Sequence, residues 1–111
     1  MPSHLLIVNP AAGAGEGPRR AEALVEGLPS SHESHVVETE ERGSATELAR
    51  ENATAFDRIL AVGGDGTLNE ALVGLLEARR SHAEIAALGF LPSGTANGAC
   101  RAFELTDDPR I

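Results

Sequence analysis

Short apolar runs alternate along the chain with stretches in which apolar residues recur at helical spacing. Runs with few polar interruptions are typical of strands that are buried on both faces of a parallel sheet. The pattern predicts strands at Leu5–Val8, His35–Thr39, Arg58–Val62 and Ile85–Leu91. The second of these is the weakest, because polar residues interrupt it.

A helix is predicted to follow each strand. Pro18 suits the first turn of a helix, and Ser44 with Glu47 has the spacing of a capping box. Leucines at helical spacing indicate the apolar face of the third helix; they are Leu68, Leu72, Leu75 and Leu76. The four predicted helices are Pro18–Leu28, Ser44–Ala53, Leu68–Leu76 and Ala96–Phe103.

Four successive strand–helix units indicate an α/β fold. Parallel strands that are joined by helices place those helices on the faces of the sheet. We therefore predict a single three-layer, Rossmann-like domain over residues 1–111, with a mainly parallel sheet and helices on both faces.

The charge of the chain argues against some classes of binding partner. Nine arginines and no lysines stand against 17 acidic residues, which gives a formal net charge of −8. This balance argues against nucleic-acid binding, which normally uses a basic surface. The absence of lysine excludes a Walker-type phosphate loop and Schiff-base chemistry. Phosphate would have to be bound by backbone N–H groups, helix N-termini, arginine or a metal.

Other residue types that carry chemistry are sparse. Cys100 is the only cysteine, which excludes an intrachain disulfide and a thiolate zinc site. His32 and His35 have a spacing that metal sites use, but without an obvious third ligand a solvated loop is favoured. The sequence shows neither a signal-peptide pattern nor a membrane-spanning apolar stretch. These features predict a soluble, cytoplasmic protein.

Three loops rich in small residues follow predicted strands, and in a parallel sheet such loops lie at the edge where ligands bind. The most informative is Gly63–Glu70, with the sequence GGDGTLNE. Its glycines can adopt positive φ and let a phosphate approach the backbone, and the helix N-terminus behind them favours an anion. Thr67 is placed to cap the helix or to donate to a phosphate. A tight turn with a solvated Asp65 is the structural alternative.

The other two loops are Asn9–Gly15 and Pro92–Gly98. The hydroxyl and amide groups of the second loop could bind the phosphate or ribose of a nucleotide, and an ordinary helix cap is the alternative. Three such loops at one edge favour a ligand that carries phosphate.

Three motifs in this order resemble the catalytic domain of the diacylglycerol kinase family, which occurs in bacterial lipid kinases. The first is Asn9-Pro10 with the loop after it, and the second is Gly63–Thr67 followed by Asn69-Glu70. The third, Gly89–Asn97, matches the family pattern G-x-x-P-x-G-T-x-N. The G-G-D-G-T core of the second motif also marks NAD kinases.

The resemblance implies that ATP binds between the glycine-rich loops and that its γ-phosphoryl group passes to a lipid hydroxyl, such as that of diacylglycerol. Asp65 would be the catalytic residue, since it would help to organise the triphosphate and Mg²⁺; no dedicated metal ligands are predicted. The implied nucleotide contacts are Asn9, Thr39, Gly63, Gly64, Asp65, Gly66, Thr67, Leu68, Asn69, Glu70, Ser93, Gly94 and Thr95.

The chain departs from the family pattern in two respects. Gly98 stands where the family usually has an aspartate, and the C-terminal β-rich domain of the family is absent from the chain. The partners implied are a nucleotide, a lipid alcohol reached through transient membrane contact, and the C-terminal domain supplied in cis or in trans. We therefore expect the isolated chain to bind Mg²⁺–ATP weakly and to lack appreciable kinase activity.

Two other functions are compatible with the residues. One is an enzyme related to NAD kinase, against which the Pro92–Asn97 segment argues. The other is a nucleotide-binding module without catalytic activity. The lipid acceptor and the oligomeric state are left open by the sequence.

Overall fold

The computed structural model describes residues 1–93 and 103–105, in which five strands form one sheet. The strands are β1 Ser3–Val8, β2 Glu33–Glu38, β3 Arg58–Gly63, β4 Ala87–Pro92 and β5 Phe103–Leu105. Their order is β2-β1-β3-β4-β5. Neighbours among β1 to β4 are parallel, and β5 pairs antiparallel with β4. The predicted, mainly parallel sheet is confirmed.

Three α-helices connect the parallel strands: α1 Glu16–Gly27, α2 Ser44–Asn52 and α3 Asp65–Arg79. A 3-10 turn, Ala12–Gly15, precedes α1. Of the fourth predicted helix, residues 96–102 lie outside the described part of the chain. Its predicted last residue, Phe103, belongs to β5, so the predicted end of that helix is wrong. Within residues 1–93 and 103–105, no helix has the length and apolar character needed to cross a bilayer.

The helices cover both faces of the sheet, because successive side chains of a strand point to opposite sides. Leu5 and Ile7 of β1 pack in one apolar cluster with residues of α2 and α3. Leu6 and Val8 pack in a second cluster with Ala21 of α1. β3 alternates in the same way, so the three layers predicted from the sequence are confirmed.

Gly74 allows α2 and α3 to pack closely on their shared face of the sheet. A Cβ added at this glycine would collide with the backbone oxygen of Thr46 and would lie 3.0 Å from the backbone nitrogen of Arg50. The buried face of α3 consists mainly of small residues for the same reason: Thr67, Ala71, Gly74, Leu75 and Ala78.

The leucine pattern of α3 is only partly reflected in its packing. Leu75 is buried, but Leu72 and Leu76 are 37% and 54% exposed, and Val73 beside them is 40% exposed. The prediction of one apolar face containing all the leucines is therefore wrong for Leu72 and Leu76. The close contact with α2 selects the alanine and glycine side of the helix for burial.

α2 begins at Ser44 as predicted, but the predicted capping box is not formed. The N-cap residue is Gly43, whose φ is +92°, and no side chain caps the helix. The Ser44 hydroxyl instead accepts hydrogen bonds from the backbone N–H groups of Glu41 at 3.1 Å and Glu40 at 3.4 Å. The serine therefore stabilises the loop before the helix rather than the first turn of the helix.

A crevice is expected between β1 and β3, which are neighbours in the sheet. α1 follows β1 on one face, whereas α3 follows β3 on the other. Where neighbouring strands lead into helices on opposite faces, ligands bind outside the carboxyl ends of those strands. The topology alone therefore indicates a ligand-binding site at the carboxyl edge of the sheet.

Candidate functional site

Backbone hydrogen bonds extend the pairing of the sheet into the loops at its carboxyl edge. They run from Asn9 N to Val62 O at 2.9 Å, from Thr39 N to Val8 O at 2.8 Å, and from Ser93 N to Gly63 O at 3.0 Å. The loops after three strands are thereby held next to the N-terminus of α3. All the predicted site residues that the structure describes lie at this edge; Gly94 and Thr95 lie outside the described residues.

A cleft of about 370 Å³ opens at this edge between β1, the loop after β2 and the first turns of α3. Five predicted nucleotide contacts line it: Asn9, Thr39, Gly66, Thr67 and Glu70. Pro10 and Ala11 of the predicted loop Asn9–Gly15 also line it, and the structure adds four lining residues that the sequence did not indicate: Glu40, Glu41, Arg42 and Ala45.

Asn9 shapes the loop after β1. Its Oδ1 accepts a hydrogen bond from the backbone N–H of Ala11 at 3.0 Å, which is the geometry of an Asx turn. Its backbone oxygen accepts a further bond from Ala12 at 3.3 Å. The side chain is thus fixed at the border of the cleft by its oxygen.

Gly63, the first glycine of the GGDGT segment, is needed for packing within the fold. A Cβ on Gly63 would lie 2.6 Å from the Thr67 hydroxyl oxygen, so this glycine lets the first turn of α3 pack against the end of β3. Thr67 itself is buried. The N-cap of α3 is Gly64 and receives no side-chain hydrogen bond, so the predicted capping role of Thr67 is wrong.

Gly64 and Gly66 differ from Gly63, because no residue that the structure describes requires a glycine at either position. A Cβ added to either would meet no atom of residues 1–93 or 103–105 within 4 Å. Their φ angles are not positive; among the described residues only Gly15 and Gly43 adopt positive φ. The prediction that the GGDGT glycines allow positive φ is therefore wrong. The prediction that they leave the backbone open to a ligand agrees with the free space at both positions.

Asp65 is the first residue of α3 and is exposed. Within the part of the chain that the structure describes, its carboxylate makes no hydrogen bond or ion pair. Together with Gly66, Leu68, Asn69 and Leu72 it lines a second groove of about 420 Å³. Gly66 borders both the cleft and this groove.

The described side chains at this edge do not by themselves form a metal site. No group of three or more His, Cys, Asp or Glu side chains that could hold a metal occurs among residues 1–93 and 103–105. Mg²⁺ is commonly bound by one or two carboxylates together with the phosphates of a substrate. Asp65, exposed and without a partner among the described residues, fits a cation that arrives bound to phosphate.

Glu70 is engaged inside the protein. The backbone N–H of Gly43 donates to both of its carboxylate oxygens, at 3.2 Å each. The Thr46 hydroxyl also donates to the backbone oxygen of Glu70, at 2.9 Å. The predicted nucleotide contact of Glu70 would therefore compete with a hydrogen bond that joins α3 to the loop before α2.

Two arginines near the site were not singled out by sequence reasoning. Arg42 lines the cleft, is exposed, and forms no ion pair with any described residue. Its place shortly after the second strand, in a chain without lysine, was an available signal. Arg20 of α1 donates from Nε to the backbone oxygen of Ser93 at 3.2 Å; this contact between distant segments had no local signal.

Ser93 follows β4 directly and is fully buried. Its Oγ finds no hydrogen-bond partner among the residues that the structure describes. A Cβ on Gly17 would lie 3.7 Å from the Ser93 Cβ and 3.1 Å from the backbone oxygen of Asn9, so α1 is packed tightly against this corner. Ser93 therefore lies behind the cleft rather than in its lining.

The histidines lie away from the cleft. His4 is buried near the start of β1, and its Nε2 is 3.0 Å from Nδ1 of His32. His35 lies in β2 and contacts Glu33 at 2.7 Å. The expectation of a solvated loop is therefore confirmed only in part. His32 lies in the loop before β2 but is half-buried against His4, and His35 is exposed but lies in β2, where a strand was also predicted.

Comparisons with known proteins agree with the family resemblance of the sequence. The family model described as "Diacylglycerol kinase catalytic domain" matches residues 3–110. A diacylglycerol kinase of Staphylococcus aureus (strain MRSA252) is 34% identical over 105 residues, which cover 93% of this chain and 32% of the relative. A diacylglycerol kinase of Staphylococcus epidermidis (strain ATCC 12228) is 35% identical with the same coverage.

Solved structures agree with the fold. A crystal structure of a diacylglycerol kinase from Bacillus anthracis str. Sterne matches with a TM-score of 0.67 and 34% identity. The match covers 86% of this chain and 34% of that one. The chain thus spans about a third of the length of the relatives that it matches.

Proposed function

Because the chain belongs to the family of diacylglycerol kinase catalytic domains, we propose that its carboxyl edge binds Mg²⁺–ATP. In the longer proteins that share this domain, the γ-phosphoryl group would pass to a lipid hydroxyl such as that of diacylglycerol, which is the activity in the names of the relatives. The chain supplies the nucleotide half of this reaction.

The observation that carries the proposal is the open space at Gly64 and Gly66. Both glycines lie at the N-terminus of α3, where the backbone N–H groups lack helical partners and favour an anion. As far as the described residues are concerned, side chains could be accommodated at both positions without strain. A ligand that approaches the backbone closely, as a phosphate does, explains why both positions are glycine.

The remainder of the nucleotide has room beside this phosphate position. The cleft extends from Gly66 past Asn9 to the loop after β2, and its volume lies in the range of roughly 300–1,000 Å³ that is typical of small-molecule sites. Arg42 on that loop supplies a positive charge. Because the chain has no lysine, we assign the neutralisation of phosphate charge to Arg42 and to the backbone N–H groups of α3.

Asp65 would hold Mg²⁺ together with the phosphates of the nucleotide. The ion would supply charge neutralisation for the transferred group, which phosphoryl transfer requires along with positioning. The helix dipole stabilises a carboxylate in the first turn of α3. Asp65 is therefore kept negative where the cation would arrive.

The proposal is tested by Gly64→Ala and Gly66→Ala, with Gly27→Ala as the matched control. Gly27 also has free space around its Cβ position and no positive φ, but it lies at the end of α1, away from the cleft. Calorimetric titration with Mg²⁺–ATP should show at least about tenfold weaker binding for Gly64→Ala and Gly66→Ala, since a phosphate contact is worth about 1.5–3 kcal/mol.

Urea unfolding of the same variants separates binding from folding. Replacing glycine by alanine in a helix stabilises by roughly 0.5–1 kcal/mol, so Gly66→Ala should be at least as stable as the wild type. Gly27→Ala should keep full affinity. Unchanged Mg²⁺–ATP affinity in Gly66→Ala would refute the proposed phosphate position.

The same titration distinguishes the alternatives. Titration with NAD should show no binding, whereas an enzyme related to NAD kinase would bind NAD together with ATP, as its phosphoryl acceptor. The 111-residue chain by itself should transfer no phosphate to diacylglycerol, because it spans only about a third of the kinases that it resembles. Phosphorylation of diacylglycerol by this chain alone would contradict that expectation.

A further inference from the structure

The two walls of the cleft come from different parts of the chain. One wall is the loop Thr39–Gly43, which follows the edge strand β2, and the other is the beginning of α3. The loop is stabilised internally by the Ser44 hydroxyl. Among the described residues, the side-chain bond between this loop and α3 is made by Glu70.

The contact of Glu70 with Gly43 is a bifurcated hydrogen bond to a charged acceptor. Gly43 is the N-cap of α2, and its backbone N–H donates to both carboxylate oxygens at 3.2 Å. A hydrogen bond to a charged acceptor is about twice as strong as one between neutral groups. The bond fixes the residue with positive φ at which the loop turns into α2.

We propose that Glu70 is a positioning residue that holds the Thr39–Gly43 loop against α3 and thereby sets the width of the nucleotide cleft. The proposal rests on the nucleotide site proposed above. Both carboxylate oxygens accept from the Gly43 N–H, so the side chain is directed at the loop. Glu70 therefore acts through the loop that carries Thr39 and Arg42, not by contact with the nucleotide.

Glu77 provides a matched control on the same helix. It lies two turns beyond Glu70 and also reaches α2, where Arg50 Nη1 donates to its Oε1 at 2.9 Å. This hydrogen bond raises the pKa of Arg50. Glu77 does not line the cleft. Substitution there perturbs the contact between α2 and α3 without touching the loop.

The experiment compares Glu70→Ala, Glu70→Gln, Glu77→Ala and Glu77→Gln by three measurements. These are Mg²⁺–ATP affinity by calorimetry, the free energy of unfolding in urea, and the hydrogen-exchange rate of the Gly43 amide. Glu70→Ala should weaken binding and accelerate Gly43 exchange, each by about tenfold, as expected for loss of a hydrogen bond to a charged group. Glu70→Gln keeps an acceptor oxygen and should stay within about threefold of wild type in affinity. Both Glu77 variants should keep wild-type affinity and wild-type Gly43 exchange.

Several results would overturn the positioning role. Equal loss of affinity in Glu70→Gln and Glu70→Ala would show that the negative charge itself meets the ligand or its cation. Unchanged Gly43 exchange in Glu70→Ala would show that the loop is held by other contacts. A similar loss of affinity in Glu77→Ala would show that the loss in Glu70→Ala comes from general destabilisation of the protein. If the wild-type chain bound no Mg²⁺–ATP, the proposed function would fail, while Gly43 exchange would still decide whether Glu70 holds the loop.

Discussion

Glycine occupies positions in this chain for three different physical reasons. Gly74 is required by the backbone of α2, which lies where a side chain would be, and Gly43 is required by a positive φ. Gly64 and Gly66 meet neither requirement. The sequence shows all of them as the same residue type, because the atoms that crowd Gly74 come from a distant segment. The coordinates are needed to tell a packing glycine from one that leaves room for a ligand.

Two interpretations of Asp65 can be distinguished by experiment: a catalytic residue and a solvated turn residue. In Asp65→Asn, affinity for ATP in the presence of Mg²⁺ should fall by about tenfold, in line with the loss of one contact to a charged group. Without Mg²⁺ the same change should leave affinity unchanged or improve it, because a negative charge near the triphosphate is removed. Calorimetric titration of both proteins with and without Mg²⁺ measures the difference.

The stability of the Asp65→Asn variant is the control for that experiment. Asp65 lies in the first turn of α3, where a carboxylate stabilises the helix by roughly 0.3–1 kcal/mol through the dipole. A thermal melt should therefore show only a small loss of stability in Asp65→Asn. If Mg²⁺ dependence were identical in the two proteins, Asp65 would be no more than a solvated turn residue.

At the scale of elements, the sequence predicted what depends on local periodicity and missed what depends on packing partners. The four parallel strands and three of the four predicted helices were found from apolar runs and punctuating residues, and each lies within a few residues of its predicted bounds. The buried face of α3 was misjudged at Leu72 and Leu76, since α3 is apolar on several sides. Only contact with α2 decides which side is buried.

The close contact between α2 and α3 gives a prediction about stability. Gly74→Ala should destabilise the protein by about 1–3 kcal/mol, the usual cost of inserting a methyl group into a packed interior. The added carbon would collide with the backbone of α2 at Thr46, which cannot move as a side chain could. Urea unfolding should place this variant below both the wild type and Gly27→Ala, in which the added carbon meets open space. Equal stability of the two alanine variants would mean that the helices are less closely packed than described.

At the scale of the whole molecule, the location of the site was predictable and its construction was not. Parallel strands joined by helices must place their loops at one edge, so Asn9, Thr39 and the GGDGT segment were expected to converge. The bond between Glu70 and Gly43 joins residues that are 27 positions apart, and no local sequence pattern predicts it. Arg42, which also lines the cleft, was missed although its place shortly after the second strand was an available signal.

The edge on which the nucleotide binds is the central claim, and amide chemical-shift mapping of the chain with Mg²⁺–ATP tests it most directly. The shifts should be concentrated at Asn9, Thr39 and residues 64–69, the loops around the cleft. Amides at the opposite edge, such as His4 and Asp57, should stay unchanged, because no part of the cleft reaches them. Shifts centred on that opposite edge, or no shifts at millimolar Mg²⁺–ATP, would contradict the account.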